Sequence, residues 1–371
     1  RRQRQMCIRD RLRRTIMIIT KEILKFFKVA LNIIRKKAIV EGVYISDEVM
    51  YAANIECQAA YILEQKDITK PIVIPSKAAE YIISFPVNSK LEFLVKDSCL
   101  TIKSGRNKVR FSLLEENTYP KRSKKEDLLL SVNAGKFVES VKASAIAGDC
   151  NSPNTRVKCV HISVRNGKLI SSATDGKKLA FVDIVPANCD MLEKCEITFP
   201  IAHIGYLSMF ECADNIEINY ANHKRAVTLK QDGFELSSTL IECSDINSLI
   251  SITESIKNGT GNTFVVEQES LKTVLSRIAL LSSVNENKIK CVVSGDTFAI
   301  TNMDTTTACE QVIDITDSTS NSEVKMCLNL KDFKELVGSV DGEIKVICAG
   351  GDKPVLLEAE NKLFLMTQFR C

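Results

Sequence analysis

Apolar and polar positions along this chain follow a pattern that occurs three times. Each copy opens on a short apolar strand, a polar turn and an amphipathic helix: Ile18 to Phe27, Leu130 to Val138 and Phe264 to Lys272. A second helix follows in each copy, at Pro75 to Ile83, Pro200 to Leu207 and Asn329 to Val337. After every helix the spacing changes to period two, the mark of half-buried strands. In the second copy Val160 to Val164 leads through a turn at Asn166-Gly167 to Leu169 to Ser172; in the third, Ile289 to Val293 leads through Gly295-Asp296 to Phe298 to Thr301. Short glycine-containing turns between alternating runs predict antiparallel hairpins. Each copy is therefore two half-copies of a strand, a helix and three strands, and the fold class is α+β with antiparallel sheets. A repeat of roughly 110 to 130 residues has the size of a domain and is too long for a solenoid unit. The expected domains are 17–122, 123–250 and 251–371, with polar linkers at Pro120 to Lys125 and Glu254 to Asn262.

Composition narrows the class. The chain is 45% hydrophobic with 8 prolines, as a folded protein requires, and it has no apolar stretch of about 18 residues to span a membrane. The formal charge of +4 is unevenly spread: residues 1–16 hold seven arginines and one acid, so they carry +6 and the remainder −2. This segment lacks the apolar run of a secretory signal. It is expected to be a non-native or disordered basic leader, with Met17 opening the first strand; a transit peptide or a nucleic-acid-binding arm is the alternative. The 14 cysteines lie scattered among apolar neighbours without a Cys-x-x-Cys pair. They are expected to be reduced core thiols rather than a disulfide framework or a zinc site. Of the three histidines, His161, His203 and His223, the first reads as a strand residue and the second as a helix residue. Neither is read with a cysteine or carboxylate partner at ligand spacing. No phosphate-binding loop, dinucleotide fingerprint or nucleophile elbow occurs. The expectation is a protein without catalysis, metal or cofactor.

Three patches stand in order on this repeat. Lys103-Ser104-Gly105-Arg106 precedes Arg110-Phe111-Ser112-Leu113; Ala173-Thr174-Asp175-Gly176-Lys177-Lys178-Leu179-Ala180 lies mid-chain; Leu363 to Arg370 ends it. Together they resemble the bacterial sliding clamp, the beta subunit of DNA polymerase III, whose patterns are S-G-R-x-R-F-S-L, A-T-D-G-H-R-L-A and a last strand ending in P-M-R-L. The resemblance covers residues 17–371 and implies three tandem clamp domains in each of two chains. The chains would close head to tail into a ring, with helices lining the hole and sheets outside. It implies a processivity factor on duplex DNA, cytoplasmic and nucleoid-associated. Its partners would be a second copy of itself, a DNA polymerase, a clamp loader and other proteins bearing clamp-binding peptides. DNA contacts would come from Lys25, Lys28, Lys136, Lys142, Lys272 and Lys334 on helices, and from Arg35, Lys36 and Arg156 in loops.

The resemblance also implies sites. Partner peptides would enter a pocket between the second and third domains, walled by Cys159, Thr174, Gly176, Lys178, Leu179, Leu249, Leu365, Thr367, Phe369 and Arg370. Ring closure would set Leu280 and Leu281 of one chain against Arg110, Phe111 and Leu113 of the other. Departures fall in the pocket: Lys177-Lys178 replaces His-Arg, Gln368 and Ser244 stand where the family has proline, and lysine cannot reproduce arginine's planar fork. A shifted peptide preference follows. A clamp-like protein of a phage or mobile element, with a different partner set, is the alternative reading.

Overall fold

The three strands that follow each helix pair side by side, and the strand before the other helix of the same copy closes the set. The rule holds six times in the computed structural model, which describes residues 13–370 except 37–38, 64–70, 97, 121–125, 166–167, 185–194, 211–213, 222–224, 244–246, 260, 283–286, 304–306, 320–322 and 350–352. In the first copy β1 (Arg13–Ile18) lies beside β6 (Lys90–Lys96), β7 (Cys99–Ser104) and β8 (Asn107–Ser112), and β5 (Ile72–Pro75) beside β2 (Gly42–Ile45), β3 (Val49–Ala53) and β4 (Cys57–Ile62). In the second, β9 (Glu126–Asn133) is followed by β14 (Asn215–Ala221), β15 (Ala226–Gln231) and β16 (Phe234–Thr239), and β13 (Glu196–Pro200) by β10 (Cys159–Arg165), β11 (Lys168–Thr174) and β12 (Lys178–Ile184). In the third, β17 (Asn262–Glu267) precedes β22 (Glu343–Cys348), β23 (Val355–Ala359) and β24 (Lys362–Met366), and β21 (Val324–Asn329) precedes β18 (Lys288–Ser294), β19 (Thr297–Asn302) and β20 (Glu310–Asp314).

Sets then join by their last strands. β4 pairs antiparallel with β16, from Cys57 opposite Ser238 to Tyr61 opposite Phe234. β12 pairs antiparallel with β24, from Lys178 opposite Met366 to Val182 opposite Lys362. Two eight-stranded sheets result, while the sets ending in β8 and β20 stay four-stranded. The chain clusters into two compact units, Arg1–Ala134 with Gly205–Thr239 and Gly135–Ile204 with Leu240–Cys371, and each unit contains one eight-stranded and one four-stranded sheet.

Helices form where the apolar spacing calls for them. In α1 (Lys21–Ile34) the buried Ile23, Phe26, Phe27, Ala30 and Ile34 make one face, while Lys21, Lys25 and Lys28 stay exposed. Its N-cap is Thr20, whose Oγ1 accepts from the Ile23 amide at 3.2 Å. The Glu22 carboxyl lies below its usual range because backbone N–H and the Thr20 hydroxyl hydrogen-bond its charged form. α2 (Ser76–Ile83), α3 (Ala134–Ala145), α5 (Gln268–Leu281) and α6 (Leu330–Val337) fall where the sequence predicts them. Tyr119 closes the first copy from outside the helices: its hydroxyl donates to the Gly42 carbonyl at 2.8 Å and lies 3.2 Å from the Tyr51 carbonyl.

Four expectations change. The first strand begins at Arg13, four residues inside the segment set aside, and Arg13 to Ile16 pair with β6. The second copy's later helix is a 3₁₀ helix, Ile201–Phe210. Its burial repeats every three residues, at His203-Ile204, Tyr206-Leu207 and Met209-Phe210, which matches three residues per turn. A helix, α4 (Asn247–Lys257), runs into the linker expected from Glu254, so the boundary expected at 250 falls inside the helix. Cys327 is disulfide-bonded, whereas Cys57, Cys99, Cys150, Cys159, Cys195, Cys243, Cys291, Cys309 and Cys348 are free among the described residues. It sits where the C-terminal tail meets β21, the Phe369 amide donating to the Cys327 carbonyl at 2.8 Å. Lys37, the Asn166-Gly167 turn, His223, Ser244 and most of the Pro120 to Lys125 linker lie outside the described residues.

Candidate functional site

Strand alternation brings four of the ten expected pocket residues, Cys159, Thr174, Leu179 and Leu365, onto one face of the sheet that runs β13-β10-β11-β12-β24-β23-β22-β17. Register places Thr174 opposite Leu179, Leu179 opposite Leu365, Leu365 opposite Leu356 and Leu356 opposite Ile347. Leu179, Phe181, Ile347, Leu356 and Leu365 form an apolar cluster on this face, and Ile256 of α4 packs against it. Lys257 at the end of α4 pairs with Glu358 of β23 at 2.5 Å. Leu249 lies near the start of the same helix, and its side chain is outside the described residues.

The turn beside this floor is held by its own side chains. Thr174 Oγ1 accepts from the Gly176 amide at 3.0 Å and donates to the Lys178 carbonyl at 2.8 Å. Asp175 Oδ1 accepts from the Lys177 and Lys178 amides, both at 2.8 Å. Gly176 has φ +90°, which an L side chain rarely adopts, while a Cβ there would meet no atom within 4 Å. Backbone conformation, not crowding, calls for glycine. Beyond β24 the Thr367 amide donates to the Lys177 carbonyl at 2.9 Å. Gln368 Nε2 donates to the Lys353 carbonyl at 2.6 Å, so the family's proline position is filled by a side chain that ties the tail down. Phe369 is 38% exposed with the Lys288 ammonium 5.0 Å from its ring centre, and Arg370 is exposed beside it.

Lys178 does not share the face of Leu179. One residue along a strand reverses the side chain, and Lys178 turns to α6, where its Nζ lies 3.1 Å from Asp332 Oδ1 and 3.0 Å from Glu335 Oε2. Its side chain is 7% exposed. Burial pulls the ammonium's pKa down, but hydrogen bonds and charge from Glu335 and Asp332 outweigh it, and the net shift is upward.

Cys159 sits at one end of the same face with unexpected neighbours. Cys159 and His161 are two apart on β10 and so point the same way, while Cys243 arrives from the chain after β16. Cys159 Sγ lies 3.4 Å from Cys243 Sγ and 3.5 Å from His161 Nε2, and Cys243 Sγ lies 3.8 Å from that nitrogen. The expectation that His161 has no ligand-type partner is therefore corrected: i and i+2 on a strand share a face, a spacing shorter than that of typical zinc-binding loops. The Cys243 thiol is lowered to about 5, first by the hydrogen bond from Cys159, then by His161 and by the charge of Arg156. The Cys159 thiol is raised by that same bond and by burial.

The expected DNA contacts divide. Lys25 and Lys28 are exposed on α1, Lys136 is exposed and Lys142 half-buried on α3, and Lys334 is half-buried on α6. Lys272 pairs with Glu269 at 3.1 Å, and Arg35 with Glu80 at 2.6 Å. The Lys36 ammonium lies 5.8 Å from the Tyr206 ring centre. Arg156, half-buried in the turn Thr155–Val157, bears on Cys243 instead. The expected interface residues lie on β8, just after it, and at the end of α5. Arg110 is exposed, Phe111 and Leu113 are half-buried, and Leu280 and Leu281 are 85% and 47% exposed. Missed in sequence was edge strand β20, whose Val312 is 56% exposed. Its short alternating run was legible, but its edge position depends on pairing between distant segments.

Six units of helix and antiparallel strands, four of them joined in pairs through their last strands, define a class of repeated α+β architecture. The particular fold is that of DNA polymerase sliding clamps. No protein-family model and no curated protein matches the chain. Among solved structures it is similar to the DNA polymerase sliding clamp of Pseudomonas aeruginosa with ligand, at TM-score 0.83 and 16% identity, covering 96% of this chain and 100% of that one. The Pseudomonas aeruginosa sliding clamp bound to griselimycin gives 0.85 and 16%, over 96% and 99%. The Bartonella birtlesii clamp bound to griselimycin gives 0.82 and 16%, over 96% and 100%.

Proposed function

We propose that this protein is a non-catalytic DNA polymerase processivity factor, a homodimeric ring that encircles duplex DNA. The observation that carries the reading is the pair of four-stranded sheets. Last strands join twice within the chain, β4 to β16 and β12 to β24, and β8 and β20 are the last strands left at sheet edges. A second copy supplies β20 to β8 and β8 to β20, which makes a closed dimer with two equal interfaces and leaves no last strand open. The exposed Leu280 and Leu281 beside one edge and Phe111 on the other suit burial there.

Lysines on the exposed faces of α1 and α3 would hold phosphates without reading bases, which permits sliding. A separate loader opens the ring. Polymerase and other partners bind by peptides laid over Thr174, Leu179 and Leu365, with Phe369 at the rim. Tethering replaces bimolecular rebinding with a high local concentration at the primer end. A division into three domains, at about residue 122 and in the segment around α4, belongs to this reading.

Light scattering after gel filtration tests the ring: the expected mass is about 83 kDa, twice the chain's 41.3 kDa. A monomer at micromolar concentration would refute it. Loaded protein should survive high salt on circular DNA and run off linear DNA; equal retention on both would refute encirclement.

A further inference from the structure

Cys159 and His161 on β10 and Cys243 after β16 bring three soft or borderline donors together, two of them more than nine-tenths buried. Zinc bonds sulfur at about 2.3 Å and imidazole nitrogen at about 2.0–2.1 Å, so a tetrahedral ion needs sulfur–sulfur spacing of about 3.8 Å and sulfur–nitrogen spacings of about 3.5–3.6 Å. The three spacings here are 3.4, 3.5 and 3.8 Å. Each lies within about 0.4 Å of that requirement. A disulfide would need the two sulfurs to close to about 2.05 Å, a far larger movement. The carrier segment is also fixed: Thr198 Oγ1 donates to the Ile241 carbonyl at 2.6 Å, and the Ile241 amide donates to the Thr198 carbonyl at 3.2 Å.

We propose that Cys159, His161 and Cys243 form a three-ligand site for a zinc-class divalent ion, its fourth position taken by water or by a donor atom of a bound partner. Two thiolates and one imidazole select zinc over magnesium or calcium, which prefer oxygen. Bound metal would tie the segment entering α4 to β10. It would thereby set one end of the face on which partner peptides are proposed to lie, a consequence that rests on the clamp reading, whereas the metal site does not.

The test is titration of the full-length, reduced, chelator-treated chain with cobalt(II) alone, then displacement by zinc(II). The expected result is one tetrahedral, thiolate-ligated cobalt per chain by its visible and sulfur-to-cobalt absorption. Cys243→Ser and His161→Ala should each weaken zinc binding by at least about 100-fold, since losing even a supporting partner costs about 10–100-fold. Cys150→Ser, at an exposed free cysteine, should change nothing. Cys159 is fully buried, so its substitution is left out and the partly exposed Cys243 carries the test, with circular dichroism confirming the fold. Absence of the cobalt spectrum in the folded reduced chain, or its survival in Cys243→Ser, overturns the proposal. No DNA, loader or peptide enters the titration, so its failure leaves the ring standing, and failure of the ring leaves the metal site standing.

Discussion

Leu280→Ala isolates ring closure from folding. Leu280 is 85% exposed in the chain, so nearly all of its apolar surface is available to a second copy. Truncation to alanine removes three carbon groups, and at about 0.8 kcal/mol for each buried CH₂ this amounts to about 2 kcal/mol per interface. A head-to-tail ring has two interfaces, so the dimer loses about 4 kcal/mol, roughly a 1000-fold rise in its dissociation constant at 1.4 kcal/mol per tenfold. Sedimentation equilibrium over a dilution series from micromolar to nanomolar reads that constant directly. The melting temperature of the dissociated chain should not move, because the side chain packs on little within it. Ile252→Ala, at an exposed apolar residue of α4 (49%), serves as a control that leaves the dimer intact. An unchanged dissociation constant for Leu280→Ala, with the chain folded, would refute closure through this surface.

Other substitutions probe the remaining parts. Lys178→Met removes two charge-assisted hydrogen bonds and should cost about 1–2 kcal/mol in urea unfolding, less than a fully buried pair would, because Glu335 is 41% exposed. The folded pKa of Lys178 lies above its ordinary value, so this contribution is complete below about pH 10.4 and fades as pH rises through the folded value; a difference from wild type that grows above about pH 10.4 would contradict it. Gly176→Ala should lower stability by about 1–2 kcal/mol through backbone strain at positive φ, and a shift of the denaturation midpoint too small to measure would argue against that turn. Charge reversal at Lys25 and Lys28 should weaken DNA binding uniformly across sequences and flatten its salt dependence, by a slope of about 0.9 for each phosphate no longer neutralised; an effect confined to one DNA sequence would speak against a sliding face.

Local chemistry made much of this legible. The apolar spacing through Phe26-Phe27, the helix expected from Asn329 to Val337 and the alternation of Val160 to Val164 depend on neighbours in sequence, and each matches the element found. The 3₁₀ helix was harder, because Ile201 to Phe210 is apolar on so many positions that period three and period 3.6 look alike until burial is known. α4 is hard to read because Ser251, Thr253, Glu254 and Ser255 dilute its apolar positions, the linker expected from Glu254 overlaps only its last turn, and its packing partner, the Leu179 and Leu365 face, exists only after the sheet assembles. At the site, Thr174, Leu179 and Leu365 were identified from short patches of similar sequence. Lys178 was assigned with them although strand alternation alone turns it the other way. The meeting of Cys159 with Cys243 joins segments 84 residues apart, and nothing local announces such a meeting.

The joins β4–β16 and β12–β24 have a consequence for how the chain can be divided. Each runs from one sequence repeat into the next, so the repeats are not the pieces that hold together. An excised first repeat would bare its last strand β4 in addition to β8, and would be prone to pair with other copies of itself. The second repeat is shared between two bodies: its β9 and β14 to β16 belong to one, and its β10 to β13 to the other. Loss of the middle repeat would thus remove a partner from both joins at once, whereas loss of the first or the third would bare one last strand, β16 or β12.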